Sequence, residues 1–221
     1  MNTVIATGWC VDNNRPKIHT PSKRVYEAGW LSTWHDYHYK QGGGLYCVYE
    51  SLSQDFLRLT ESSLFEQHMR ARVYFKDLPG RHDWVASFLA GCQYALFNNS
   101  HLVYIEQDCL VKGLGDIIEV SKDYVDNIAY GFGDYSFQTG WAETSLVYVH
   151  YSFLKETIIR ILGSDILETS QPIEPIFHNL FKDKFIAWPF GYGRVRPIDF
   201  NEKIYYAQQM NNEEINKTLN I

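Results

Sequence analysis

The stretch Trp84–Asp108, WVASFLAGCQYALFNNSHLVYIEQD, decides the fold. Its first part predicts a long helix from His82 to Asn98, because apolar residues recur at the spacing of one helical face: Val85, Phe88, Leu89, Cys92 and Ala95. The apolar run His101–Ile105 then predicts a buried strand. Glu106, Gln107 and Asp108 follow that strand directly, so they are expected at the carboxyl end of a strand of the sheet.

Upstream of this stretch the chain alternates between strand and helix patterns. Strands are predicted at Thr3–Val11, Leu45–Tyr49 and Arg72–Phe75, and helices at Thr20–Tyr39 and Ser53–Arg70. This alternation predicts an α/β fold with a mostly parallel central sheet flanked by helices. The 221 residues are expected to form a single domain.

The second half of the chain is less regular. Strands are predicted at Asn127–Phe132, Ser145–His150 and Phe185–Trp188. A helix is predicted at Tyr151–Leu162, and the polar tail from Asn201 onward is predicted to be helical as well.

Composition and charge exclude several classes of protein. With 45% apolar and 21% charged residues, the chain is neither disordered nor collagen-like nor a coiled coil. Twenty Lys and Arg against 26 Asp and Glu give a net charge of -6, which argues against nucleic-acid partners and against binding to an anionic membrane. We expect no transmembrane segment, because the longest apolar-rich run, Val85–Phe97, is short and interrupted. Four cysteines without a C-x-x-C pair, together with the lack of a basic leader, favour a reduced, cytoplasmic chain.

The carboxylates of Glu106 and Asp108 are the strongest candidates for chemistry. Carboxylate oxygens at the end of a buried strand suit Mg²⁺ or Mn²⁺, and such an ion commonly holds substrate phosphates. The alternative is that both are ordinary solvated turn residues. The long helix and the buried strand that precede them favour the metal site.

The helix WVASFLAGCQYALFNNS, the strand HLVYI and the motif Glu106-Gln107-Asp108 together resemble the nucleotide-sugar glycosyltransferases of the GT-A fold. In that family the motif is D-x-D, so Glu106 departs from the pattern and Asp108 keeps it. The resemblance implies Mn²⁺ or Mg²⁺ on Asp108 and Glu106, and it makes His178 a candidate for the late histidine ligand. It covers roughly residues 1–120, which would bind a UDP- or GDP-sugar, while residues 121–221 would bind a glycan or another hydroxyl acceptor.

The resemblance also implies residues that contact the donor. Thr7, Gly8 and Trp9 would lie beside the nucleotide, where Gly8 lets the backbone approach closely. Trp9 alternatively packs in the core. Glu50 would read the base or the ribose, and the alternative for it is a solvated carboxylate at the end of a strand.

Basic residues are candidates for binding the donor's phosphates. Arg81 and His82 lie at the start of the long helix, where the helix dipole favours anions. Arg194 and Arg196, in FGYGRVRP, would point the same way in an extended segment and could clamp a diphosphate. The alternative for Arg194 and Arg196 is a surface turn in which the arginines form salt bridges. Arg15 is a weaker candidate, since it lies in a polar loop whose basic residues are usually only solvated.

An inverting transfer needs a carboxylate that removes the proton of the acceptor hydroxyl. Glu174 is the first candidate and Glu143 and Asp134 are its rivals, whereas a retaining enzyme needs no such base. The acceptor would bind at the segment around Gly140-Trp141, because aromatic rings cover the apolar faces of sugars. Trp141 could instead be a buried anchor.

Two other functions stay open at this point. A sugar nucleotidyltransferase would also use carboxylates and a metal, but it normally has a glycine-rich basic loop after its first strand, and GWCVDNNRPK has one glycine. A non-catalytic carbohydrate-binding module is favoured only by the 16% aromatic content.

Overall fold

The computed structural model describes residues 1–9, 37–38, 45–50, 83–132, 141–169, 171–193 and 196–219. Its strands are β1 Thr3–Trp9, β2 Leu45–Glu50, β3 His101–Ile105, β4 Cys109–Lys112, β5 Ile128–Phe132, β6 Ala142–Val149, β7 Phe185–Trp188 and β8 Tyr205–Gln208. Its α-helices are α1 Asp83–Phe97, α2 Leu114–Ser121, α3 Leu154–Leu162, α4 Ile173–Phe181 and α5 Asn212–Leu219. Short 3₁₀ helices cover Tyr151–Phe153 and Asp165–Leu167.

Within the described residues the central sheet has six strands in the order β2-β1-β3-β6-β5-β7. The pairs β1–β2, β1–β3 and β5–β7 are parallel, whereas β6 runs antiparallel to both of its neighbours. The predicted α/β class with a mostly parallel sheet is therefore confirmed. Because β1, β2 and β3 are parallel, their carboxyl ends lie at one edge of the sheet, and the Glu106–Asp108 turn follows β3 at that edge.

Helices cover one face of the central sheet. The side chains of β3 alternate, so Leu102 and Tyr104 face the cluster built from α1, α3 and α4. Helix α1 packs its apolar stripe there, with the Trp84 and Phe88 rings stacked 5.0 Å apart. The helix ends where Asn99 takes a left-handed conformation, φ 48°, which terminates helices readily.

The other face of the sheet is covered by a second, two-stranded sheet in which β4 pairs antiparallel with β8. Helices α2 and α5 complete this layer, with Leu114 and Ile215 buried in the same cluster as Val103 and Ile105 from β3. The small sheet has a functional consequence: it places Gln208, near the end of the chain, directly opposite Cys109.

Most of the predicted elements within the described residues are found, and their ends shift by a few residues. The prediction of a wholly helical tail is wrong, because Tyr205–Gln208 forms β8 and only Asn212–Leu219 is helical. All four residues of β8 are buried between β4 and neighbouring aromatic rings, which outweighs the polar character of the surrounding sequence. Strand β4 and helix α2 are additional to the prediction.

Three predicted elements lie wholly or mostly outside the described residues: the helices at Thr20–Tyr39 and Ser53–Arg70, and the strand at Arg72–Phe75. Cys92 and Cys109 are both buried. In the part of the chain that the structure describes, every helix is too short or too polar to cross a membrane.

Candidate functional site

The Glu106–Asp108 motif forms a tight turn between β3 and β4. The Glu106 amide donates to the Ser145 carbonyl at 2.9 Å, which ties the start of the turn to β6. The Cys109 amide donates to the Glu106 carbonyl at 3.0 Å and closes the turn. Glu106, Gln107 and Asp108 are all half-buried, so their side chains lie at the border between the core and solvent. The turn therefore holds two carboxylates at the edge of the sheet where ligands bind in this fold class.

Gln208 brings a third polar side chain to the motif. Its Nε2 lies within hydrogen-bond distance of Glu106 Oε2 and 3.4 Å from Asp108 Oδ1. The residue is only 2% exposed, and no group in the described part of the chain donates to its Oε1. The next residue, Gln209, donates its backbone N–H to the Asp108 carbonyl at 3.1 Å and adopts a left-handed φ of 51°. Gln208 is thus held against the turn by backbone contacts.

Strand β6 adds Glu143 to the site. Its register against β5 shifts between Tyr130, which is opposite Val147, and Gly131, which is opposite Glu143, so the pairing of the two strands is irregular there. Ser145 Oγ donates to Glu143 Oε1 at 2.9 Å, and Thr144 Oγ1 donates to Glu106 Oε1 at 3.3 Å. Glu143 is 5% exposed. Glu143 is therefore hydrogen-bonded to Ser145, and the neighbouring residue Thr144 makes a separate contact with Glu106 of the motif.

The buried Cys109 thiol is affected by the charges of three carboxylates around it. Burial raises the pKa of the Cys109 thiol well above its usual value, and the negative charges of Asp108, Glu106 and Glu143 raise it further. Burial first, and then Glu106, likewise raises the pKa of Tyr104, whose hydroxyl is 2.6 Å from Ser87 Oγ. Both groups stay protonated at neutral pH, which leaves the carboxylates as the acidic functional groups of this region.

The Tyr206 ring fills the space beside Glu143. A Cβ atom on Gly131 would lie 1.8 Å from Tyr206 Oη, and one on Gly191 would lie 2.2 Å from Tyr206 Cε1. Gly191 has φ 112°, which also favours glycine. Gly131 and Gly191 thus let the Tyr206 ring approach the backbone closely.

The donor atoms at the turn suit a hard divalent cation. Two carboxylates and one amide carbonyl are oxygen ligands of the kind that Mg²⁺ and Mn²⁺ accept, and Gln208 Oε1 is buried with its acceptor capacity unused by the described residues. The described residues hold no group of three or more His, Cys, Asp or Glu side chains that could bind a metal. Any cation here would therefore depend on the amide as well as on the two carboxylates.

His178 is not brought to the motif. It lies on α4, where its Nδ1 is 3.1 Å from the Tyr130 hydroxyl and its ring is 5.0 Å from the Phe185 ring. Burial lowers the pKa of His178. Its position is explained by packing between α4 and the sheet.

The predicted donor-contacting residues of β1 and β2 lie at the same edge as the motif. Trp9 pairs with Glu50 in the register of the parallel strands, one residue beyond the Gly8–Tyr49 pair. Thr7 is buried. A Cβ atom on Gly8 would lie 2.6 Å from Ser87 Oγ, so the close approach at Gly8 is made by helix α1. Contact of these residues with a nucleotide stays a prediction.

The Arg196 guanidinium forms hydrogen bonds within the protein. Its Nε donates to Glu214 Oε1 at 2.6 Å, and its Nη2 donates to the Gln208 carbonyl at 2.8 Å. A phosphate would compete with these partners for the guanidinium. The other predicted phosphate ligands, Arg15, Arg81, His82 and Arg194, have side chains outside the described residues, as has the candidate base Asp134.

The remaining candidate bases, Glu174 and Glu143, lie on different elements of the fold. Glu174 lies in the first turn of α4, whose Phe177 packs behind the sheet against Trp84 and Phe88. Glu143 instead lies on β6 next to Thr144, whose hydroxyl donates to Glu106 at 3.3 Å. Gln208 is the residue of the site that sequence reasoning missed, and a short buried strand in a polar tail is too weak a pattern to find it.

Several solved structures have a fold similar to that of this chain. The chain superimposes over 100% of its length on 99% of HddC from Yersinia pseudotuberculosis, with a TM-score of 0.59 and 14% identity. A glycosyltransferase involved in glycosylation of the major capsid of PBCV-1 matches 99% of the chain over 97% of its own, with a TM-score of 0.54 and 10% identity.

The galactosyltransferase LgtC, solved with donor and acceptor sugar analogues, matches 86% of the chain over 75% of its own, with a TM-score of 0.51 and 8% identity. No family model matches the chain, and no curated protein matches it in sequence. The expected resemblance to GT-A glycosyltransferases is confirmed at the level of the fold.

Proposed function

We propose that this protein is a metal-dependent glycosyltransferase, which moves a sugar from a UDP- or GDP-sugar to a hydroxyl of a glycan or another acceptor. The observation that carries the proposal is the meeting of Glu106, Asp108 and Gln208 at the carboxyl edge of the parallel strands. That edge is where folds of this class bind nucleotides. The glycosyltransferases among the solved structures with this fold support the same activity.

In this proposal Asp108 and Glu106, with Gln208, hold Mn²⁺ or Mg²⁺. Such an ion supplies positive charge that offsets the negative charge growing on the departing diphosphate. Asp108 keeps the acidic position of the motif and is the main ligand. Gly8, Trp9 and Glu50 follow the same edge from β1 and β2, and this placement suits contacts with the nucleoside.

Glu143 is the base that we favour for an inverting transfer. It is buried, and Ser145 Oγ orients its Oε1 at 2.9 Å. A carboxylate oxygen is the kind of group that removes the proton of the acceptor hydroxyl in an inverting transfer. Glu174 remains the rival, at a position in the first turn of α4.

The proposal is tested first by ligand binding. Thermal denaturation is measured with UDP- and GDP-sugars, each with and without Mn²⁺, because a bound ligand raises the apparent melting temperature. A shift that requires both the nucleotide sugar and the cation supports the proposal. A sugar ligand that binds equally well without cation or nucleotide would identify a carbohydrate-binding module instead.

Calorimetry then locates the site. We expect Asp108→Ala to abolish Mn²⁺-dependent binding of UDP or GDP, whereas the same substitution at the exposed Asp123 should leave it unchanged. Unaltered binding by Asp108→Ala would remove the motif from the site.

Formation of a nucleotide sugar from a nucleoside triphosphate and a sugar phosphate would show a nucleotidyltransferase.

The base is tested by transfer rates. Glu143→Gln keeps the size and the hydrogen bond to Ser145 but cannot accept a proton, so transfer should fall at least about 100-fold. Glu174→Gln, the matched variant, should keep most of its activity. The reverse pattern would make Glu174 the base, and equal activity of both variants with retained anomeric configuration would show that no base is needed.

A further inference from the structure

We infer that Gln208 decides which divalent cation the site takes; the inference rests on the proposed cation site at Glu106 and Asp108. A glutamine amide is an unusual third group for such a site, because it is neutral and can either donate or accept. In the structure its Nε2 faces both carboxylates, while its Oε1 has no donor among the described residues.

The amide group has two orientations with different roles. With Nε2 toward the carboxylates, its N–H groups offset the repulsion between Glu106 and Asp108. Rotation by half a turn exchanges oxygen and nitrogen at nearly equal positions, since the two ends of an amide have almost the same shape. The carbonyl oxygen then lies where Nε2 was, within reach of an ion bound to both carboxylates. One side chain thus serves the empty site and the filled site.

The backbone around Gln208 fixes the place of this amide. Arg196 Nη2 donates to the Gln208 carbonyl at 2.8 Å, and the Gln208 amide donates to the Gly193 carbonyl at 2.7 Å. Gln209 ties the end of β8 to the Asp108 carbonyl. Because both neighbours of the side chain are anchored, rotation of the terminal amide is the simplest change that can answer the arrival of a cation.

The ligand set then determines selectivity. Two carboxylates and an amide carbonyl supply only oxygen, and oxygen ligands suit hard ions such as Mg²⁺ and Mn²⁺. Imidazole nitrogen suits Zn²⁺ and related ions better. We therefore expect the wild-type protein to have a lower Zn²⁺-to-Mg²⁺ affinity ratio than a site in which an imidazole replaces the amide.

The experiment measures binding of Mg²⁺, Mn²⁺ and Zn²⁺ to the full chain by calorimetry, without any sugar nucleotide. Gln208→His supplies a nitrogen ligand, and its Zn²⁺-to-Mg²⁺ affinity ratio should rise on the order of tenfold or more. Pulsed electron paramagnetic resonance of its Mn²⁺ complex should show coupling to an imidazole nitrogen. Gln93→His, on the exposed side of α1, is the matched control and should leave the ratio as it is in the wild type.

Gln208→Glu is the second variant, in case the histidine does not fit the buried position. Its third carboxylate should tighten binding of both Mg²⁺ and Mn²⁺ on the order of tenfold at pH 8. Wild-type affinities in both folded Gln208 variants, combined with loss of binding in Asp108→Ala, would overturn this inference and leave the proposed function intact. Wild-type affinity in Asp108→Ala would instead overturn the proposed cation site.

Discussion

Gln208 directs its Nε2 at Glu106 Oε2 across a separation of 102 residues. This relationship exists because β8 pairs with β4, which follows the Glu106–Asp108 turn. The last part of the chain therefore completes a site whose acidic part lies in the middle. Substitutions that weaken the packing of β8 are therefore expected to disturb the Glu106–Asp108 turn without changing its carboxylates.

The Tyr206 ring leaves no space for a side chain at position 131, where the chain has a glycine. We expect Gly131→Ala to lower the free energy of unfolding by about 1–3 kcal/mol, because its Cβ would overlap Tyr206 Oη at 1.8 Å. Gly131→Ala with Tyr206→Phe should recover part of that loss, since phenylalanine lacks the hydroxyl. Urea denaturation measures both, with Gly163→Ala as a control whose nearest contact is 3.1 Å. Equal losses in the single and double variants would count against the overlap.

Arg196 links helix α5 to β8, because it donates hydrogen bonds to both Glu214 and the Gln208 carbonyl. The side chains of Arg196 and Glu214 are 30% and 16% exposed and 2.6 Å apart, so the pair is partly shielded from solvent. Arg196→Met should lower the free energy of unfolding by about 1–3 kcal/mol, because it removes charge-assisted hydrogen bonds. Glu214→Gln and the double variant complete a cycle that should show favourable coupling. A stable Arg196→Met protein that lost only nucleotide affinity would support the phosphate clamp instead.

His101 makes stability sensitive to acid at the opposite end of β3 from the motif. Its Nδ1 accepts from the Tyr151 amide at 3.2 Å and lies 2.8 Å from the Tyr148 hydroxyl, so the ring must be neutral there. Burial first, and then the nearby His150, Lys122 and chain amino terminus, lowers the pKa of His101 from 6.5 to about 4.

The sign of the pH effect follows from that pKa. Between pH 6.5 and 4 the unfolded chain binds a proton at His101 that the folded chain does not, so stability is complete above this window and falls as pH drops through it. We expect a loss of about 2–3 kcal/mol between pH 7.5 and 4.5 by urea denaturation. His101→Asn, whose amide oxygen can accept in place of Nδ1, should flatten this difference. A variant with the wild-type pH dependence would rule out His101 as its source.

Gly8 is explained by the packing of helix α1 on β1. Gly8→Ala should destabilise the protein in the absence of any nucleotide, because the new Cβ would lie 2.8 Å from Ser87 Cβ. Gly8→Ala with Ser87→Gly should be more stable than the sum of the two single changes predicts, as thermal denaturation can measure. Additive losses would mean that the two residues do not compete for space. Nucleotide binding by the double variant then tests separately whether Gly8 also contacts the donor.

The sequence alone determined the parts of the fold that depend on local pattern. Helix α1 and strand β3 are found where the apolar spacing places them, because burial of a continuous apolar stripe leaves few alternatives. The same pattern put Glu106 and Asp108 at the end of a strand. Strand β8 escaped prediction, since its four residues are buried by contacts with distant β4 and their neighbours in sequence are polar.

Tertiary structure decided which side chains meet at the motif. Nothing in the local sequence distinguishes Gln208 from the adjacent Gln209, yet one is aimed at the carboxylates and the other turns the chain with a positive φ. Strand β6 in the same way places Glu143 next to Thr144, which contacts Glu106, whereas Glu174 lies in the first turn of α4. Residue spacing along the chain determines which side chains lie on the same face of one helix or strand. Contacts between strands that are distant in sequence depend instead on how both faces of the sheet are covered.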